Sequence, residues 1–334
     1  MGFPIRSSIR LCSTDSRTLP AGRTGCPGGE KGGLCMTPKV GIIISNYNGW
    51  QDTLACLDSL QKQTFRDFEV ILLDDASTND SVEQLSARLP EDVIFLPHRE
   101  NLGFSASNNL GIRRALEDGV EWVLLLNNDT VCAPDMLETL LAQTPENAVS
   151  CPKMLFLDEP DRIWFAGGRL NPRTGHVRHL GGHAKDGPEV SRRQPVNFIT
   201  FCCVLLPRRV VEQVGFLNEE LFMYCEDVEY CIRLADAGVK MWYLPDARLW
   251  HRAGGSISGM LAVYYITRNT LSLRCRGRSR AYRRLVGSLA VARGAVSMVT
   301  AGLCGHRKGR SYGYYHGALD FLKGRTGRMD PGLF

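Results

Sequence analysis

Along the first third of the chain, short apolar runs alternate with segments of helical spacing. Val40 to Ser45 is a β-branched run ended by Asn46-Tyr47-Asn48-Gly49, after which Leu54, Leu57 and Leu60 recur at helical intervals. Val70 to Leu73 repeats the pattern, ending in Asp74-Asp75-Ala76-Ser77-Thr78-Asn79-Asp80 before a helix carrying Val82, Leu85 and Leu89. Val93 to Leu96 predicts a third strand, followed by Asn101-Leu102-Gly103-Phe104 and a helix from about Ser105 to Glu117. Trp122 to Leu126 predicts a fourth, closed by Asn127-Asn128-Asp129. Strands alternating with helices of this length predict an α/β fold with a parallel sheet covered on both faces, and ligands of such sheets bind outside the carboxyl ends of the strands. Polar residues gather at those ends.

Farther on, about 154 to 195 is rich in Gly, Arg and His and lacks a clear period, predicting short strands and mobile loops over a site. Phe198 to Leu206 reads as a buried strand, a helix runs from near Asp227 through Leu234, and Val239 to Leu244 reads as a last strand before Trp250-His251. Beyond about Val263 the chain becomes Arg-rich and helical. There are no internal repeats. The expected organisation is a tail over 1–36, a catalytic domain over 37–262 and a basic helical region over 263–334.

The chain has 334 residues with 44% hydrophobic and 22% charged, enough to bury a substantial core and unlike a disordered composition. A formal charge of +5 is too mild to suggest a nucleic-acid binder. The 12 cysteines are scattered rather than spaced as a disulfide framework, and read as reduced thiols of a cytoplasmic protein. Residues 1 to 35 contain no apolar run long enough for the core of a signal peptide. They are expected to form a disordered tail, with Met36, directly ahead of the first strand, as a candidate natural start. Cys26 and Cys35 lack partners at zinc-ligand spacing.

No Gly-x-Gly-x-x-Gly follows the first strand, which removes the main support for a dinucleotide fold. Carboxylates and amides stand at the strand ends instead. Asp75 can accept hydrogen bonds from a nucleobase imide or a ribose hydroxyl and Tyr47 offers a ring for stacking, a plausible nucleoside pocket. Asp80, three residues before Glu83, reads as a helix cap with a capping-box partner. Asn127-Asn128-Asp129 is a hard-oxygen site of the kind that Mg²⁺ or Mn²⁺ shares with a diphosphate. Glu226-Asp227 opens a helix, as an N-cap or as a general base, and His251 is a structural residue or a metal ligand.

The ordered set Ile42-Ile43-Ile44-Ser45-Asn46-Tyr47-Asn48-Gly49, Leu73-Asp74-Asp75-Ala76-Ser77, Asn101 to Asn109, Leu126-Asn127-Asn128-Asp129, Phe222-Met223-Tyr224-Cys225-Glu226-Asp227, Trp250-His251 and Tyr264 to Asn269 resembles the family 2 glycosyltransferases, especially their bacterial rhamnosyltransferase-like branch. The resemblance spans about 39 to 270. It implies a GT-A fold with a mixed, mostly parallel sheet flanked by helices and a C-terminal helical extension. It also implies a nucleotide-sugar donor, a divalent metal and inversion at the anomeric carbon, on a cell-wall or surface-polysaccharide substrate. By resemblance, Tyr47 packs on the donor base, Asp75 reads uracil or thymine, and Ser45, Asn48, Gly103, Asn108 and Asn128 complete the nucleotide-sugar site. Asp129 matches the last residue of the metal-binding Asp-x-Asp motif, from which the chain departs at Asn127. His251 resembles a second metal or diphosphate contact, and Asp227, beside Glu226, the catalytic base. The implied reaction moves a sugar, with L-rhamnose from dTDP-rhamnose ahead of a UDP-sugar, to a lipid-linked glycan or polysaccharide hydroxyl. Two alternatives differ in class: a nucleotidyltransferase, which would be expected to carry a basic Gly-rich loop after the first strand, and a non-catalytic sugar-binding protein on the same fold.

The charge is unevenly divided. From Arg268 onward there are 14 Lys and Arg against 2 Asp, a net +12, leaving −7 on the preceding residues. Leu285 to Leu303 is apolar but interrupted by Arg293 and three glycines, predicting an interfacial or protein-packed helix rather than a span. Arg283, Arg284, Arg307, Lys308 and Arg310 flank it, suited to anionic lipid at the inner face of the plasma membrane or to a phosphate-bearing acceptor.

Overall fold

The computed structural model of the protein describes residues 39–253, 259–304, 308–330 and 332. The expected tail, the candidate start at Met36 and the Cys26 and Cys35 pair lie outside the described residues.

The alternation read from sequence becomes β1 (Val40–Asn46), α1 (Trp50–Leu60), β2 (Phe68–Asp74), α2 (Ser81–Arg88), β3 (Val93–Pro97), α3 (Gly103–Glu117) and β4 (Trp122–Asn127). These four strands are mutually parallel in the order β4-β1-β2-β3. Ile42, Ile43, Ile44, Ile71, Leu72, Leu124 and Leu125 are fully covered, and each such side chain stabilises the fold by about 1.5–3 kcal/mol. α3 lies close on β1 and β2 because Gly111 faces Ile43 and Leu73; a methyl group there would collide with Ile43.

The second half extends and mixes the sheet. β5 (Thr130–Cys132), α4 (Met136–Gln143), β6 (Ala148–Phe156), β7 (Ile163–Phe165), β8 (Gly168–Asn171), β9 (His176–His179), β10 (Gln194–Val196), β11 (Cys203–Pro207), α5 (Arg208–Val214), α6 (Glu226–Asp236) and β12 (Lys240–His251) follow in turn. The ten-stranded sheet runs β10-β12-β6-β11-β4-β1-β2-β3, with β5 on β12 and β7 on β6, while β8 and β9 pair separately. β11 is antiparallel to both β4 and β6, and β12 is parallel to β6.

Several boundaries differ from the sequence reading. β6, buried near the centre of the sheet, was not expected there, because Pro152 and Lys153 break its apolar run. Lys153 is fully covered, its ammonium 2.5 Å from Asp186 and 3.3 Å from the Ser191 hydroxyl. The strand expected over 239–244 continues to His251, passing Pro245 through a register shift between Leu244 and Arg248. The strand expected from Phe198 begins at Cys203. Asp80 stands at the N-cap of α2 without capping it, since its carboxylate accepts from the Trp50 indole at 3.1 Å and Asn79 Oδ1 takes the Ser81 N–H instead.

The chain closes with α7 (Met260–Arg274), α8 (Arg280–Cys304) and α9 (Lys308–Lys323). α9 packs against both α7 and α8, approaching α7 closely because Gly313 and Gly317 face the Met260 and Tyr264 backbone. No described helix is long and apolar enough to cross a membrane. Cys56, Cys132, Cys151, Cys202, Cys203, Cys231 and Cys275 are buried free thiols, and Cys225 is a half-buried one.

Candidate active site

The carboxyl ends of β1, β2 and β4 lie side by side in the sheet, and an amide-rich frame ties them together. Asn46, buried at the end of β1, donates to Asp74 Oδ2 at 2.6 Å and accepts from the Thr53 hydroxyl, the Gly49 N–H and Asn128 Nδ2. Asp74 folds the following turn by accepting from the Ser77 N–H at 2.8 Å. Asn48, at φ 59°, accepts from the Thr78 and Asn79 N–H groups. Three of the expected nucleotide-sugar contacts also make hydrogen bonds within the protein. Asn48 holds the 77–79 turn. Asn128 donates to Asn46, Thr53 and Gly49. Asn108 donates to Phe104 O on its own helix.

Tyr47 stands 41% exposed, with its ring open to a stacking partner. Ser45 Oγ lies 3.2 Å from Ser107 Oγ below it. Asp75 is buried, and its two oxygens accept from the Leu102 and Gly103 N–H groups at 2.7 and 2.9 Å, with His98 Nδ1 3.4 Å away. The turn that presents those N–H groups needs glycine. Gly103 sits at φ +80°, and a Cβ there would lie 2.5 Å from Phe222 O. α3 thus starts at Gly103, two residues before the expected start, and Asp75 is linked through Gly103 to the loop that precedes Glu226.

At the end of β4, Asp129 meets β12. Register pairing puts His251 opposite Thr130, and Arg252 N–H donates to Asp129 O at 3.0 Å. Asp129 Oδ1 and His251 Nε2 are 3.1 Å apart, within ion-pair range, but among the described residues neither has a hydrogen-bond partner, nor does His251 Nδ1. Trp164 packs edge-on against the imidazole at 4.3 Å between ring centroids, fixing its plane. An orphaned carboxylate oxygen beside an orphaned imidazole nitrogen suits a divalent cation. Among the described residues no group of three or more His, Cys, Asp and Glu is placed to hold a metal. Asn127, where an acid would give a further ligand, has its backbone N–H on Cys202 O at 2.8 Å.

Glu226 and Asp227 form the first turn of α6. Phe222, Tyr224 and Cys225 all have positive φ, at 65°, 64° and 69°, a cluster of strained non-glycine residues that only surrounding contacts can hold. Those contacts come from α7. Asn269 Nδ2 donates to Leu221 O, Met223 O and Tyr224 O at 3.0, 2.9 and 2.8 Å. Arg268, itself buried, donates to Leu221 O, Gly327 O and Asn269 Oδ1. Neither residue was given a role in the sequence reading beyond belonging to the Tyr264 to Asn269 segment, nor were His98 and Asn46. His98 follows the end of β3, so the strand-end rule would have found it.

Desolvation raises the pKa of both Glu226 and Asp227, and the neighbouring charge raises Glu226 further. The helix N-terminus favours their ionised forms, so desolvation outweighs it here. The two environments are unequal. Asp227 accepts from the Val228 N–H at 2.7 Å, from Thr200 Oγ1 and from the Phe201 N–H, whereas Glu226 Oε2 has no hydrogen-bond partner among the described residues. Glu226 is therefore the more readily protonated of the two, leaving Asp227 as the carboxylate. Phe201 precedes Cys202, whose carbonyl holds Asn127, so the same strand entry carries Asp227 on one side and the Asp129 turn on the other.

The family described as glycosyl transferase family 2 matches residues 41–215. The chain belongs to this family. It is 30% identical over 245 residues to the N-acetylglucosaminyl-diphospho-decaprenol L-rhamnosyltransferase of Mycobacterium tuberculosis, a match covering 66% of this chain and 78% of that protein. It is 26% identical over 209 residues to the low-salt glycan biosynthesis hexosyltransferase Agl10 of Haloferax volcanii, covering 59% and 62%. A match to the uncharacterized protein y4gI of Sinorhizobium fredii, 29% identical, spans only a quarter (25%) of that longer protein. Among solved structures, the mannosyltransferase PcManGT of Pyrobaculum calidifontis, in complex with GDP-Man and Mn²⁺, covers 86% of this family 2 chain and 88% of its own at TM-score 0.51 and 15% identity. GalNAc-T7 with UDP, GalNAc and Mn²⁺ covers 70% and 48% at TM-score 0.55 and 14% identity. At these identities the two structures establish the fold, which is GT-A.

Proposed function

We propose that the protein is a metal-dependent inverting hexosyltransferase that moves a sugar from a nucleotide-sugar donor to a hydroxyl of a lipid-linked glycan or cell-surface polysaccharide. The observation that carries this reading is the buried Asp129 and His251 pair, joined through residues 200–202 to a desolvated, hydrogen-bonded Asp227. In this reading Tyr47 stacks on the base and the Asp75 turn reads its imide edge, an edge that uracil and thymine share. Asp129 and His251 would hold Mg²⁺ or Mn²⁺ together with the donor diphosphate, since among the described residues the chain places two candidate ligands there. Such a cation neutralises charge on a departing nucleoside diphosphate.

Asp227 accepts the proton of the acceptor hydroxyl as that oxygen bonds to the anomeric carbon and the bond to the diphosphate breaks. General-base assistance of this kind contributes roughly 10²–10⁴-fold. Glu226, kept neutral by burial, places no negative charge beside Asp227 and so favours its carboxylate form. dTDP-L-rhamnose is the preferred donor, because the mycobacterial relative that this chain matches over most of its length is named a rhamnosyltransferase, and a UDP-sugar is the next. That relative's name also supports a diphosphate-lipid acceptor. We place the reaction at the cytoplasmic face of the plasma membrane, with peripheral attachment through the basic C-terminal region.

The test is a donor screen by thermal shift, with and without Mn²⁺ or Mg²⁺. A ligand at 100 times its Kd adds about 2.7 kcal/mol of stability. The expected result is a rise in Tm with dTDP-rhamnose, or failing that a UDP-sugar, only when the cation is present. Equal shifts with and without cation, or none with any donor, would contradict the reading.

A further inference from the structure

We propose that the outward face of α8 is the surface by which the protein docks on an anionic lipid bilayer. This deepens the reading of the acceptor as lipid-linked and rests on it for its purpose. One side of α8 is covered: Gly287 lies against Leu322 and Phe321, Gly294 against Tyr315, and Ala290 is buried with Phe321. The opposite side carries Leu285, Leu289, Val296 and Val299, exposed by 59, 62, 64 and 65%. At 100° per residue these four aliphatic side chains fall within an arc of about 80° and extend over about 21 Å of helix. Singly exposed apolar residues are ordinary, but an aligned stripe on one helix is not.

Charge selects the occupant. Arg284 and Arg293 are exposed on opposite flanks of the stripe, and Arg278 and Arg280 are exposed at its start. Between Asp246 and Asp320 the chain has no Asp or Glu at all. A second copy seated on α8 would bring arginines against arginines with no carboxylate from α7 or α8 to pair with them. A helix with an aliphatic stripe, cationic flanks and no acid instead complements a sheet of acyl chains beneath phosphate headgroups. The docked face is also tied to the chemistry, since α8 packs on α9, α9 on α7, and Arg268 and Asn269 of α7 hold the loop before Asp227.

The test is co-sedimentation of the full chain with vesicles that contain no glycan acceptor. One set is phosphatidylcholine alone, the other an equal mixture of phosphatidylcholine and phosphatidylglycerol. The protein is expected to pellet with the anionic vesicles only, and less so as salt is raised. Leu289→Asp with Val296→Asp should weaken partition more than about tenfold per site. Arg284→Gln and Arg293→Gln should each weaken it about fivefold. All these positions are exposed, and circular dichroism checks that the variants fold; the arginine variants test the surface independently of the aspartates. Failure of the unmodified chain to bind anionic vesicles, equal binding to both compositions, or binding untouched by both sets of variants would overturn the proposal. So would a solution dimer that the aspartate pair dissociates in place of vesicle binding. Metal-dependent nucleotide binding, measured on the same preparations, fails separately if the active-site reading is the one at fault.

Discussion

Asp129 Oδ1 stands 3.1 Å from His251 Nε2, and among the described residues neither atom makes a hydrogen bond. Buried polar atoms left without partners are costly, about 1–3 kcal/mol each. A cation bridging the two would remove that cost, which makes this pair the point where the fold and the proposed chemistry meet. Asp129→Ala or His251→Ala is expected to reduce the Mn²⁺-dependent part of nucleotide affinity at least ~10-fold, while binding in chelator stays near its unmodified value. Calorimetric titrations with and without Mn²⁺ measure both; unchanged affinity in Mn²⁺ would remove the pair from metal binding.

Asn269 spends one side-chain amide on three carbonyls of the strained turn over 221–224. Asn269→Ala leaves those carbonyls short of a donor and is expected to lower stability by about 1–3 kcal/mol. It should also depress kcat more than KM, because the turn sets the position of Asp227 rather than that of the donor. Thermal melts and steady-state kinetics together decide this. A variant that melts early but keeps full kcat would show that the strained turn is structural only.

Glu226 gives a pH-dependent test of the same site. Its folded pKa is raised above the unfolded value, so the stability its neutral form contributes is present at low pH and is lost as pH rises through the folded pKa. Glu226→Gln stays neutral throughout. The variant should match the unmodified protein in Tm at acidic pH, at or below the ordinary range of a glutamate, and exceed it increasingly as pH rises. The acid limb of the rate, set by Asp227 beside a neutral neighbour in both proteins, should stay where it is. A Tm difference independent of pH would show that Glu226 is not desolvated as described.

Much of the catalytic half was legible because each of the first four strands is an isolated apolar run ended by polar residues, and the polar ends do converge. Asp75 and Asp129 stood out for the same reason, lying at the carboxyl ends of β2 and β4, whereas Asp227 stood out through the Glu-Asp segment that opens α6. Other features could not be read locally. β6 hides behind Pro152 and a lysine whose burial depends on Asp186, more than thirty residues away. β12 passes through Pro245, which in isolation reads as a stop. Asp80 satisfies a capping pattern, but its carboxylate is taken by Trp50. Asn48, Asn108 and Asn128 have the chemistry of ligand contacts, and only the fold reveals that their amides hold turns and a helix. The clamp of Arg268 and Asn269 on the turn before Glu226 likewise exists only once α7 is packed.

The central claim is that Asp227 is the base of a single-displacement glycosyl transfer, in a site whose donor half is built separately from Asp75, Asp129 and His251. Asp227→Asn preserves size and the acceptor oxygen that receives the Val228 N–H, but removes the proton-accepting charge. Transfer by this variant, assayed with the donor found in the screen alongside calorimetric donor binding in Mn²⁺, is the most direct measurement. The account predicts a loss of about 10²-fold or more in kcat with donor affinity nearly unchanged. Turnover close to that of the unmodified enzyme would contradict it.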